Sequence, residues 1–304
     1  MMKRKIPSCL FAAVFLFSLV LAMYSHASAA DPFTRQENVV YGEDFGVGLV
    51  MDIFTPTGGK NGLAIVDVVS GAWKSDRGKM RDHERAQMFN IFCSRGYTVF
   101  AVRPGSITKF TIPEMVKHIE QGIVWVKQHA DDYGIDAARL GITGASAGGH
   151  LASLVAVKNE SSDVQPGNER ASVKAVGVFF PPTDLTDYRV PETEVSVDDV
   201  SPIAKRVLFA SAGVEDLTKE QIHQRLVEIS PALLVTKNAP PFLLIHGDAD
   251  TVVPLDQSQK LQNALQEHEV PVDLIVKAGG GHPWLTLHEE VAVLADWFDQ
   301  QLKK

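Results

Sequence analysis

Leu140-Gly141-Ile142-Thr143-Gly144-Ala145-Ser146-Ala147-Gly148-Gly149-His150 decides how this chain is read. An apolar run starting at Arg139 enters a Gly-x-Ser-x-Gly turn, and a helix-like run from Leu151 to Val157 leaves it. Strand, sharp turn, helix, with serine at the apex, is the context of a nucleophile elbow. Gly144 and Gly148 let the backbone pass close to itself on either side of Ser146. The hydroxyl then stands at a helix N-terminus, where developing negative charge is favoured.

A serine hydroxyl is a poor nucleophile alone and needs a base, itself oriented by an acid. Downstream, Phe242–His246 reads as a strand and runs into Gly247-Asp248-Ala249-Asp250-Thr251-Val252-Val253-Pro254. Asp248 and Asp250 are both candidates for the acid; Asp250 is preferred and Asp248 is read as a turn residue. After a further strand, Val272–Val276, Gly279-Gly280-Gly281-His282 offers a well-aimed base. Two backbone N–H donors must also face the developing oxyanion. Ala147 is one expected source. Gly71 or Ala72, in Ser70-Gly71-Ala72-Trp73 after the strand Leu63–Val69, is the other. Trp73 is expected beside these donors as a substrate-binding wall that favours short acyl groups.

Around these motifs, apolar strand candidates alternate with amphipathic helices. Tyr97–Val102, Leu140–Thr143 and Val173–Phe180 join the three strands already named. Near-continuous Val, Ile, Leu and Phe is the pattern of parallel strands covered on both faces. Val116, Ile119, Ile123 and Val126 recur at helical spacing, as do Leu287, Val291, Leu294 and Phe298. The predicted class is α/β, with a mostly parallel sheet and helices on both faces. Asn38–Tyr41 and Gly48–Phe54 form an expected antiparallel leading pair. Residues 181–241 break the alternation and are expected to form a small helical cap over the strand ends. Ser201-Pro202 and Thr218…Gln221 read as helix starts. Asp184, Asp187, Glu192, Glu194, Asp198 and Asp199 there read as a solvated acidic loop.

Residues 1–30 carry Lys3-Arg4-Lys5, an apolar stretch from Leu10 to Met23, and Ala27-Ser28-Ala29-Ala30. This is the pattern of a cleavable signal peptide and predicts a secreted or periplasmic protein, with the α/β domain over 31–304. Three of the 29 basic residues and none of the 37 acidic ones lie in that leader, leaving 26 against 37, a net charge of −11. Such acidity argues against nucleic-acid or anionic-membrane partners. Cys93 is the one cysteine after residue 30 and reads as a small core residue. The histidine spacing indicates no metal site.

Asp131–Asp136, Gly144–His150, Pro182–Leu185, His246–Pro254 and Gly280–His282 together resemble the α/β-hydrolase superfamily. The resemblance is to its acetyl-esterase, feruloyl-esterase-like and hormone-sensitive-lipase-like branch. It covers nearly all of residues 31–304, and the order Ser146, Asp250, His282 is that of the superfamily. It implies cofactor-free hydrolysis of small or carbohydrate-linked carboxylic esters through an acyl-serine. By that match Ser146 is the nucleophile, Asp250 the orienting acid and His282 the base. One departure stands out. The branch carries His-Gly-Gly-Gly-Trp where this chain has Val69-Ser70-Gly71-Ala72-Trp73. The competing readings are a prolyl-oligopeptidase-like serine peptidase and a non-catalytic binding protein on the same fold.

Overall fold

The β-branched and aromatic runs become eight strands of one sheet: β1 (Phe33–Asp44), β2 (Val47–Pro56), β3 (Ala64–Val68), β4 (Thr98–Arg103), β5 (Leu140–Ala145), β6 (Ala175–Phe179), β7 (Phe242–Gly247) and β8 (Val272–Lys277). The structure, a computed structural model, describes residues 31–159, 171–188 and 218–303. Asp31–Lys304 clusters as one compact unit. The strand order is β1-β2-β4-β3-β5-β6-β7-β8. β1 and β2 pair antiparallel, as does β2 with β4; every later pairing is parallel.

Side chains alternate across the sheet, so each strand feeds two cores. Val66, Val68, Ile142 and Val178 join one cluster with α3 (Ile112–Gln128), α4 (Ala130–Tyr133), α5 (Ala147–Asn159) and α7 (Leu255–Glu267). Ile65, Val99, Leu243 and Ile245 join the other with α1 (Arg77–Arg85), α2 (Met88–Ser94) and α8 (Leu287–Leu302). The helical spacings at 116–126 and 287–298 therefore mark faces that are buried, as expected. α3 begins at a full capping box, Thr111 with Glu114, and has proline in its first turn. Cys93 is 2% exposed, and burial pushes its thiol up to about 12.

Within 181–241, α6 (Lys219–Glu228) starts at the Thr218–Gln221 capping box expected there. Ser201-Pro202 and the acidic residues Glu192, Glu194, Asp198 and Asp199 lie outside the described residues. The solvated acidic reading fails at Asp184. That residue is 8% exposed, its Oδ1 accepts the Thr186 N–H, and Lys260 lies 3.5 Å from its Oδ2. Gln257 fixes the same turn by accepting the N–H groups of Thr183 and Asp184. In the parallel part of the sheet all C-terminal strand ends point the same way. The loops after β3, β5, β7 and β8 therefore gather at one edge, where ligands bind in open α/β sheets.

Candidate active site

Ser146 occupies the turn between β5 and α5 with φ of +54°, a left-handed conformation that a side chain disfavours. Two glycines make this tolerable. A Cβ on Gly144 would sit 2.5 Å from the carbonyl carbon of Gly148, and one on Gly148 would run into the Val68 carbonyl. The Ser146 N–H is fixed by the Phe179 carbonyl at 2.9 Å, so the strained turn is pinned to β6. The serine itself is half-buried at the sheet edge.

Its Oγ lies 2.9 Å from Nε2 of His282, and Nδ1 of His282 lies 2.7 Å from Oδ2 of Asp250. A carboxylate only accepts, so Nδ1 carries the proton and Nε2 presents its lone pair to the serine hydroxyl. The Asp250 Oδ1 accepts two further bonds, from the N–H groups of Val252 (2.8 Å) and Val253 (2.9 Å). His246 Nε2 donates to the Val253 carbonyl at 2.9 Å and lies 3.5 Å from Asp250 Oδ2. Burial alone would raise the Asp250 carboxyl. The imidazoles of His246 and His282 and the Val253 N–H outweigh it and hold the group well below the usual carboxylate range. Asp248 plays a different part: it is exposed and accepts the Gly279 N–H at 2.6 Å, closing the turn that carries the glycines before His282.

His282 is held from its other side by aromatic rings. Phe180 meets the imidazole edge to face, 4.4 Å between centroids, and is itself at φ +36°. Trp284 packs against Phe180, and its Nε1–H donates to Glu290 on α8 at 2.8 Å. Lys277 at the end of β8 grips the other oxygen of Glu290 at 2.6 Å.

The oxyanion donors sort themselves by who is already bonded. Ala147 opens α5, so its N–H has no intrahelical acceptor. Gly71, expected as a second donor, is occupied: its N–H goes to the Lys74 carbonyl at 2.9 Å, and the Lys74 N–H returns to the Gly71 carbonyl at 3.0 Å. That tight pair throws Ala72 and Trp73 into left-handed conformations at φ +49° and +55°. Ala72 is exposed, and its N–H has no partner among the described residues. Trp73 departs from its expected role as a wall of the substrate site. Its ring turns inward, is 7% exposed, and donates its Nε1–H to Nδ1 of buried His150 at 3.1 Å.

Three contributors escape a reading by motif. His246 passes for a strand end and Phe180 for core. His150 closes the Gly144–His150 elbow stretch, and nothing in that motif says what its ring meets.

An elbow serine in hydrogen-bonded line with a histidine and a carboxylate, at the C-terminal edge of this sheet order, defines an α/β-hydrolase. The BD-FAE family model matches residues 51–265, and the chain belongs to that family. It is 26% identical over 240 residues to a probable carboxylic ester hydrolase, LipM, of Mycobacterium tuberculosis, covering 77% of this chain and 52% of the relative. Esterase LipQ of the same organism is 27% identical over 213 residues, 69% of this chain and 47% of the relative. The chain thus spans about half the length of these curated relatives. Among solved structures, a truncated carbohydrate esterase from gut microbiota superposes with a TM-score of 0.73 at 26% identity, covering 91% of this chain and 99% of the other.

Proposed function

We propose that this protein hydrolyses carboxylic esters through an acyl-serine, and that its substrates are small or carbohydrate-linked esters. The observation that carries the reading is the unbroken chain from Ser146 Oγ through His282 to Asp250, at 2.9 and 2.7 Å. Ser146 Oγ attacks the ester carbonyl while His282 Nε2 takes its proton. Asp250 holds the Nδ1–H and stabilises the imidazolium that forms. The Ala147 and Ala72 N–H groups receive the oxyanion. Collapse expels the alcohol, protonated by His282, and leaves the acyl-enzyme. Water, deprotonated by the same histidine, then releases the acid and restores the serine. The carbohydrate-linked part of the proposal draws support from the truncated gut-microbial carbohydrate esterase, 99% of whose solved chain this chain covers. We infer further that residues 1–30 direct export and are removed, and that residues 181–241 form a cap over the site.

The test is turnover of p-nitrophenyl acetate, acetylated xylan and feruloylated sugars by the wild type and by Ser146→Ala. The variant is expected to lose on the order of 10⁴ to 10⁶ in rate, and to lose labelling by a fluorophosphonate probe. Activity within tenfold of wild type would remove Ser146 from the mechanism.

A further inference from the structure

We infer that His150 and Trp73 are positioning residues. Together with the Ile229 carbonyl they form a buried hydrogen-bonded relay that holds the Ala72 N–H where it meets the reacting carbonyl oxygen. The inference rests on the acyl-serine reading proposed above.

The need for such a device follows from the loop itself. Ala72 and Trp73 are consecutive non-glycine residues at positive φ. Each is disfavoured against its ordinary conformations, because Cβ crowds the following carbonyl oxygen. Glycine would hold this conformation without that penalty, but neither position has it. Ala72 is exposed, so its own side chain offers the loop little anchorage. The Gly71–Lys74 pair closes the loop at its base, and the Trp73 carbonyl accepts the Ile107 N–H at 2.8 Å. The buried side-chain anchor is the Trp73 indole, one residue from the free N–H.

The anchor has a defined polarity. An indole N–H can only donate, so His150 Nδ1 must accept. The proton then sits on Nε2, which faces the Ile229 carbonyl at 2.7 Å. That carbonyl belongs to the C-cap of α6. Both ring nitrogens are used, as a fully buried histidine requires. Burial, only partly opposed by the Ile229 carbonyl, lowers His150 to about 4, so the accepting form persists at neutral pH. Edge-to-face contact between the two rings, 5.7 Å and 81°, fixes their mutual orientation.

The relay also refers both oxyanion donors to one helical turn. The His150 N–H donates to the Ser146 carbonyl at 2.9 Å, and the Gly148 N–H donates to the Ser70 carbonyl at 3.0 Å. Ala147 lies between them on α5. The turn that carries the nucleophile therefore also grips both ends of the loop that carries Ala72. No step assigned to Ser146, His282 or Asp250 needs His150, yet a polar ring is buried there at 0% exposure.

The experiment compares an ester with its thiono counterpart, in which C=S replaces the carbonyl. Sulfur is larger and a weaker acceptor, so an intact pair of donors strongly favours the oxygen compound. Trp73→Phe keeps a ring and removes the donor; His150→Leu fills the space and removes the acceptor. Both are measured per folded site, counted with a fluorophosphonate, and either one that folds suffices. The expected result is a fall in kcat of at least tenfold, KM within about twofold, and a several-fold drop in the oxo-to-thiono ratio of kcat/KM. His150→Asn, which can still accept from the indole, should recover much of the ratio lost in His150→Leu. An unchanged ratio, whether kcat falls or not, overturns the inference and leaves Trp73 and His150 as packing. A wild type that does not turn over esters, or Ser146→Ala that still does, instead overturns the acyl-serine reading.

Discussion

At the scale of single residues, the two aspartates after β7 show how position in a hydrogen-bond network assigns a role. Asp250 faces His282 and is surrounded by donors: one imidazole in direct contact, two backbone N–H groups, and a second imidazole close by. Asp248 faces outward to the Gly279 N–H. Asp250→Asn should lower kcat by about 10⁴, because an amide can donate to Nδ1 and favour the wrong tautomer. Asp248→Asn should cost on the order of 1 kcal/mol of stability and little rate. The reverse order in kcat would exchange their roles. His150 supplies a second prediction. An unfolded histidine binds a proton below about 6.5, whereas folded His150 stays neutral down to about 4. Between those values the unfolded chain holds the extra proton, so stability falls as pH falls across that window and levels off below it. His83 has the opposite sense: burial opposes its charge, but Asp67 at 2.7 Å raises it. Its contribution is fully present below about 6.5 and is lost as pH rises through its folded value, so it does not create the acid slope. Urea unfolding of wild type and His150→Asn at neutral pH and near pH 4.5 should differ in pH dependence by roughly 2 kcal/mol. Parallel pH dependences would show that His150 is not held neutral. Of these placements, those of Ser146, Asp250 and His282 are legible in sequence because each stands in a short motif at a strand end. Those of Gly71, Trp73 and His150 are not. The Gly71 N–H is claimed by Lys74 folding back, and the Trp73 ring by a partner 77 positions away.

At the scale of elements, alternation and helical spacing locate the sheet and its flanking helices because most of those elements are buried on a face of fixed period. β1 shows where that legibility ends. Its predicted span, Asn38–Tyr41, is a third of the observed Phe33–Asp44. This edge strand is exposed along much of its length, carries a charged and polar Thr34-Arg35-Gln36-Glu37, and shifts register around Asn38, which sits at φ +56°. No two-residue period survives such an irregularity. The glycines at the site are better read, since they mark contacts between backbones. A Cβ on Gly247, at the end of β7, would collide with the Gly280 carbonyl in the loop that delivers His282. A Cβ on Gly281 would meet nothing nearer than the Pro283 carbonyl at 3.9 Å. Gly247→Ala must push that loop away from β7 and misplace the imidazole. Since a displacement of about 1 Å can cost on the order of 10² in rate, kcat should fall at least that far. Gly281→Ala should stay within a fewfold of wild type. Equal kcat for the two variants would mean that the loop, not its contact with β7, sets the aim of His282.

At the scale of the whole molecule, electrostatics adds a constraint that no single contact reveals. Residues 31–304 carry a net charge of −11, and the sum of such charges acts on an approaching ligand well beyond contact distance. Close to the oxyanion loop the balance is different. The stem of Lys79 lies against Gly71, where a Cβ would come within 2.5 Å of its Cδ, and its ammonium is shared with Asp82 at 3.2 Å. That pairing leaves Lys79 little charge to set against the global field. A neutral ester and an anionic one of similar size, p-nitrophenyl butyrate and mono-p-nitrophenyl succinate, separate the two effects. At about 10 mM ionic strength the screening length is near 30 Å, so the whole surface repels the succinate; at about 0.15 M it is near 8 Å and only local charges remain. kcat/KM for the succinate should therefore rise several-fold with salt while that for the butyrate stays flat. A fall for the succinate would mean that Lys79 governs the approach in spite of Asp82. A flat response for both would mean that the acidic residues lie too far from the mouth of the site to act on what enters it.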